Sequence, residues 1–77
     1  MNKKSIRRER FENVAARRTQ KILDLLDSLG NCSNRSNYEY TNEDVRKMFA
    51  AIKDKTKSIE AVFGNSISQA GKNKFKF

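Results

Sequence analysis

Basic side chains recur along the first part of the chain at spacings that would place them on one side of a helix. At about 100° per residue they fall within an arc of roughly 80°, and they are Lys3, Arg7, Arg10, Arg17 and Lys21. The acidic residues of the same segment lie outside that arc. Positive charge segregated in this way is typical of a helix lying along nucleic-acid phosphates, although a solvated charged face gives the same pattern. The spacing therefore predicts a phosphate-contacting surface.

A second group of candidate residues lies in the middle of the chain, in the segment "LGNCSNRSNYEYTNEDV". Arg35 offers a guanidinium to base edges, and Tyr38 offers an aromatic ring for base stacking. Asn34 and Asn37 are further amide donors. Beyond this segment, a shorter basic stripe is formed by Arg46, Lys53 and Lys57. Lys and Arg contacts to phosphate give affinity with little sequence choice, so we expect any choice among nucleic acids to come from the middle segment.

The composition restricts the possible classes of function. The chain has 77 residues, a formal charge of +8 and a pI near 10.0, which favours an acidic partner such as nucleic acid. It has no histidine, no glycine-rich phosphate loop and no paired nucleophile, so we expect no catalytic residues and no enzyme. A single cysteine, Cys32, excludes an intramolecular disulfide and an ordinary zinc site. We expect a free, packed thiol there, and no metal or cofactor.

The first predicted helix covers residues 5–29, because apolar side chains recur there at spacings of 3, 4 and 7 residues. Its apolar stripe consists of Phe11, Val14, Ala15, Ile22, Leu25, Leu26 and Leu29. Arg18 lies within this stripe. Its aliphatic stem can pack while the guanidinium reaches solvent, or its charge can meet a carboxylate or phosphate of a partner. The sequence leaves both alternatives open.

The second predicted helix covers residues 42–63 and repeats this periodicity. Its apolar stripe consists of Val45, Met48, Phe49, Ile52, Thr56, Ile59 and Phe63. Thr41 is expected to cap the helix, with Asp44 in the position that completes a capping box. Tyr40 and Val45 are expected to form a hydrophobic staple across the cap.

Together these elements predict an all-α protein, with a two-helix hairpin over residues 1–64 and a flexible basic tail over residues 65–77. Gly30 and Gly64 are predicted to end the two helices, and the loop between them covers residues 30–41. Hydrophobic residues make up 36% of the chain, so the core of one hairpin would be thin. We therefore expect two copies to pair into a four-helix dimer.

Neither a signal peptide nor a membrane span is expected. The first residues, "MNKKSIRRERF", are basic but lack the apolar run of a secretory signal. No stretch approaches the roughly 18 apolar residues that would span a bilayer. The sequence thus predicts a cytoplasmic protein with no membrane partner.

The run "LGNCSNRSNYEYT", followed by Glu-Asp-Val and a helical Phe, carries a family resemblance over residues 10–52. This part of the chain resembles an uncharacterised family of small basic helical proteins found on plasmids and conjugative elements of Gram-positive bacteria. The resemblance implies a bacterial cytoplasm and the context of a mobile genetic element. It supplies no catalytic residues.

Two functions from different classes are compatible with these features. The first is a nucleic-acid-binding accessory or regulatory protein of a mobile genetic element, acting as a homodimer, with DNA and RNA both open as targets. The alternative is a protein-interaction module, an inhibitor or adaptor that docks on an acidic surface of a host or element-encoded partner. Its anchors would be Tyr38 and the Lys-Phe tail. Removing the basic stripe would abolish the first activity, whereas deleting residues 65–77 would abolish the second.

Overall fold

All regular structure in the described part of the chain is helical. The computed structural model describes residues 5–72, with side chains over residues 5–69. Helix α1 covers Ile6–Gly30, a 3₁₀ turn covers Asn31–Ser33, and helix α2 covers Asn42–Lys72. Within residues 5–72 there is no strand, which confirms the predicted all-α class with two helices. The chain divides into two units, Met1–Glu39 and Tyr40–Phe77.

Helix α1 begins at a side-chain cap. The Ser5 hydroxyl oxygen accepts a hydrogen bond from the Arg8 N–H at 3.0 Å, and the Ser5 carbonyl accepts from the Glu9 N–H at 3.0 Å. Glu9 also places negative charge in the first turn, where the helix dipole favours it. The helix therefore starts within one residue of the predicted position.

The end of α1 differs from the predicted glycine stop. Gly30 has φ −58° and ψ −30°, which is ordinary right-handed helix, and the chain then continues into the 3₁₀ turn. The backbone first becomes extended at Asn34, with ψ 104°. No glycine within residues 5–72 has a positive φ. Gly30 therefore closes α1 as its last residue but not through the left-handed conformation that glycine caps use.

Helix α2 begins as predicted. The Thr41 hydroxyl oxygen accepts from the Asp44 N–H at 3.1 Å, and the Thr41 N–H donates to Asp44 Oδ2 at 2.9 Å. This reciprocal pair is a capping box and satisfies two of the backbone donors left open at a helix start. Tyr40 and Val45 are both half-buried, while the staple between them stays a prediction.

The predicted end of α2 at Phe63 is wrong, because the helix continues to Lys72. Gly64 lies inside the helix, and a Cβ added there would meet no heavy atom within 4 Å. The residues after Gly64 contain no proline, and Ile67 continues the apolar spacing four residues after Phe63. Residues 65–72 of the predicted tail are thus helical, and residues 73–77 lie outside the described part of the chain.

None of the residues 5–69 is buried, so the members of each apolar stripe are either exposed or only partly covered. In α1, Phe11 is 49% exposed and Leu25 is 69% exposed. In α2, Phe63 is 55% exposed. The hairpin packing and the four-helix dimer therefore stay predictions. Cys32 is free, but it is exposed, so the prediction of a packed thiol is wrong.

Candidate nucleic-acid interface

The basic residues of α1 lie on one continuous helix. Arg7, Arg10, Arg17 and Lys21 are all exposed, and together they form what we term the α1 basic stripe. At 1.5 Å of rise per residue, Arg7 and Lys21 lie about 21 Å apart along the helix axis. Lys3, the fifth predicted member, lies outside the described residues. The structure therefore places four of the five predicted cations where their shared side can be contacted.

The α1 basic stripe is not neutralised by the acids of its own helix. Arg8, which lies outside the stripe, forms an ion pair with Glu12, with 3.1 Å between Nε and Oε2. Gln20 donates to Asp24 Oδ1 at 2.9 Å. Within residues 5–69, no member of the stripe forms an ion pair with an acid. The four positive charges therefore remain available to an anion from outside the chain.

Arg8 has a local role that was not predicted from the sequence. Its guanidinium carbon lies 5.6 Å from the centre of the Phe11 ring, at cation–π distance, in addition to the ion pair with Glu12. The i, i+3 and i, i+4 spacings of these residues are the signal that predicts such contacts. Arg8 is thus engaged within α1, which distinguishes it from the neighbouring Arg7 and Arg10.

A second cluster of cations lies on α2. Arg46, Lys53 and Lys57, which we term the α2 basic stripe, line one open depression on the helix surface. The apolar side chains of Phe49 and Ile52 line the same depression. This arrangement lets lysine stems rest on apolar surface while their ammonium groups stay in water. The structure therefore brings the three predicted residues together beside the apolar stripe of α2.

The segment between the helices contains a turn organised by Asn34. Its side-chain Oδ1 accepts from the Ser36 N–H at 3.0 Å, and its carbonyl accepts from the N–H groups of Asn37 at 3.1 Å and Tyr38 at 3.0 Å. This Asx turn gives Asn34 a structural role through its Oδ1, and the base-edge contact through its amide nitrogen stays a prediction. Tyr38 is 52% exposed and can offer its ring for stacking, and Arg35 is exposed within the turn.

Two further kinds of feature concern the described residues, a metal-binding cluster and a membrane-spanning helix. No three His, Cys, Asp or Glu side chains in this part of the chain cluster closely enough to hold a metal ion. None of its helices has both the length and the apolarity needed to cross a membrane. Comparison with protein-family models, with curated proteins and with solved structures found no match to this chain. The support for the candidate interface is therefore the exposure and the placement of its own residues.

Proposed function

We propose that this chain is a small nucleic-acid-binding accessory or regulatory protein of a bacterial mobile genetic element. One observation carries the proposal: α1 presents four exposed cations on one side, and none of them is paired with an acid of the described chain. The resemblance of residues 10–52 to plasmid and conjugative-element proteins supports the cellular context. The cytoplasm of a bacterium is the compartment that this context implies.

The α1 basic stripe suits a phosphate backbone for physical reasons. Duplex DNA carries one negative charge per roughly 1.7 Å of its axis, so a stripe about 21 Å long lies beside many phosphates. Each cation that neutralises a phosphate releases condensed counterions, and that release drives binding. Such contacts fix position without selecting a sequence. The α1 stripe therefore accounts for affinity and gives no sequence preference.

The loop and α2 supply the remaining contacts in this proposal. The half-exposed ring of Tyr38 suits stacking on an unpaired base, and the guanidinium of Arg35 suits base edges or phosphates. Arg46, Lys53 and Lys57 add three more cations beside an apolar depression. Stronger binding to single strands than to duplex would indicate that Tyr38 takes part.

The active form in this proposal is a homodimer. Large apolar side chains of both helices are half or more exposed, among them Leu25 at 69% and Phe63 at 55%. Covering such surface removes it from water at roughly 25 cal/mol per Å², which favours association. Pairing two copies into a four-helix arrangement would also double the number of basic stripes offered to one nucleic acid.

The test compares two charge-removing variants by fluorescence anisotropy with labelled duplex and single-stranded probes. Replacing Arg7, Arg10 and Arg17 by Gln is expected to lower the affinity at least about a hundredfold at 0.15 M salt, since three counterion-releasing contacts are lost from each protomer. Lys47→Gln removes one charge outside both basic stripes and is expected to change affinity less than about twofold. Circular dichroism verifies that both variants keep their helix content.

The proposal is contradicted if the triple variant binds as tightly as the unmodified protein. The stripes would then be docking surfaces for an acidic protein, the alternative predicted from the sequence. Because α2 extends to Lys72, deletion of residues 73–77 rather than 65–77 is the appropriate test of the Lys-Phe tail as an anchor.

A further inference from the structure

Helix α2 exposes an apolar stripe that follows a heptad repeat. Positions along this stripe alternate between spacings of four and three residues, and they are Val45, Phe49, Ile52, Thr56, Ile59, Phe63 and Ser66. This alternation is the pattern of a helix that packs lengthwise against another helix. The stripe is longer than the sequence predicted, because the helix continues through Gly64. Its large members are poorly covered: Phe49 is 42% exposed and Ile59 is 50% exposed.

The polar residue in the middle of this stripe is already satisfied within its own helix. The Thr56 hydroxyl donates to the Ile52 carbonyl at 2.8 Å. Burying a hydroxyl without a hydrogen-bond partner costs free energy. The Thr56 hydroxyl keeps its intrahelical hydrogen bond when α2 is covered, so this cost does not arise. The centre of the stripe can therefore be covered by apolar side chains without leaving an unsatisfied donor.

We propose that α2 pairs with α2 of a second copy of the chain, in antiparallel orientation and overlapping along nearly its whole length. Phe49 then lies opposite Ser66 of the second copy and Ile52 lies opposite Phe63, so that no Phe faces another Phe across the seam. A parallel pair would instead place Phe49 and Phe63 each against its own copy at the axis. Parallel two-stranded coils favour β-branched residues, rather than Phe, at those positions.

The second copy of α2 is also the partner that matches in length. Helix α2 has 31 residues, whereas α1 has 25. The α1 stripe carries the charged Arg18 near its centre, which would have to enter the seam. The α2 helix of a second copy offers an uncharged stripe of the same length, which can lie alongside the first over nearly all of it.

Charges beside the seam fit this orientation. Lys53 and Glu60 are exposed and occupy equivalent heptad positions along one edge of the stripe. In the antiparallel pair Lys53 of each copy lies beside Glu60 of the other, which gives two opposite-charge pairs. This leaves Arg46 and Lys57 as the cations of the α2 basic stripe that can contact phosphates. In a parallel pair Glu60 would lie beside Lys55 of the other copy instead. The two orientations therefore respond differently to substitution of Lys53 and Lys55.

This inference deepens the dimer of the proposed function, but it does not depend on nucleic-acid binding. All of its tests are made without nucleic acid. A failure here would leave the α1 basic stripe untouched, and a failure of nucleic-acid binding would leave the pairing of α2 untouched.

The experiment is sedimentation equilibrium of the full chain over a range of concentrations, with a reductant present because Cys32 is exposed. A dimer of twice 8.9 kDa is expected. Lys53→Glu is expected to raise the dissociation constant about tenfold, since two attractive pairs become repulsive. Combining it with Glu60→Lys should restore the original value, because both pairs are then opposite in charge again.

Lys55→Glu is the matched control, with the same charge change two residues away. It is expected to change the dissociation constant less than about twofold, because Lys55 lies beside Val62 of the second copy in the antiparallel pair. Weakening by Lys55→Glu in place of Lys53→Glu would overturn the orientation. A mass of 8.9 kDa at all concentrations, any other assembly, or no response to these charge changes would overturn the pairing.

Discussion

Thr41 and Asp44 hold the start of α2 through two reciprocal hydrogen bonds. The Thr41 N–H donates to the Asp44 carboxylate at 2.9 Å, and the Asp44 N–H donates to the Thr41 hydroxyl oxygen at 3.1 Å. The preferred residue at the third position of this motif is Glu or Gln, yet the shorter Asp closes the box here. The start of α2 is therefore fixed by its own side chains.

Thr41→Ala is expected to destabilise the protein by about 1 kcal/mol, since the cap oxygen is lost while the helix start remains. Thr41→Ser keeps that oxygen and should cost much less. Chemical denaturation followed by circular dichroism measures both free energies of unfolding. Equal stability of the Ala and Ser variants would show that the box contributes nothing to the start of α2.

Gly64→Ala tests whether α2 passes through Gly64. Ala is expected to stabilise the helix by about 0.5–1 kcal/mol, because glycine in a helix interior loses more backbone entropy on folding. No heavy atom lies within 4 Å of the added Cβ, so no clash offsets the gain. Thermal melts and helix content by circular dichroism give the result. A loss of stability would instead indicate a left-handed glycine stop at this position.

Asn34 is expected to govern the order of the turn between the helices. Asn34→Ala removes the acceptor of the Ser36 N–H, and it should cost about 1 kcal/mol or less because the turn is exposed. Asn34→Asp retains an acceptor oxygen and serves as the control. Amide hydrogen exchange at Ser36 should quicken in the Ala variant and stay slow in the Asp variant. If exchange at Ser36 were unchanged in both the Ala and the Asp variants, Asn34 would not be what orders the turn.

Local rules sufficed to predict the helix starts but not the end of α2. Capping at Thr41 depends on residues within one turn, so the sequence predicts it directly. Whether Gly64 ends a helix depends on the residues C-terminal to it, where the absence of proline and the spacing to Ile67 favour continuation. The rule that glycine ends a helix does not take into account whether the following residues favour continuation of the helix. The reach of the heptad stripe was missed for the same reason.

The sequence predicted which basic residues of the candidate interface share one side of each helix. Helical spacing placed Arg7, Arg10 and Arg17 on one side of α1, and the structure keeps them there without ion pairs to described acids. The role of Asn34 was not predictable, because asparagine serves both as a turn former and as a base-edge donor. Packing between helices and between copies depends on contacts far apart in sequence, which periodicity does not specify.

Salt dependence of nucleic-acid binding tests the central claim most directly. Duplex DNA, single-stranded DNA and RNA probes are titrated at several salt concentrations, and the slope of log K against log salt is measured for each. We predict binding to duplex DNA with a slope of about −3 to −4 per protomer from the four cations of the α1 basic stripe, and a steeper slope where the α2 basic stripe also contacts phosphates. Arg17→Gln should make that slope shallower by about 0.9 per protomer, and Lys47→Gln should leave it unchanged. Absence of binding to all three probes at physiological salt, or a slope that Arg17→Gln does not alter, would contradict the account.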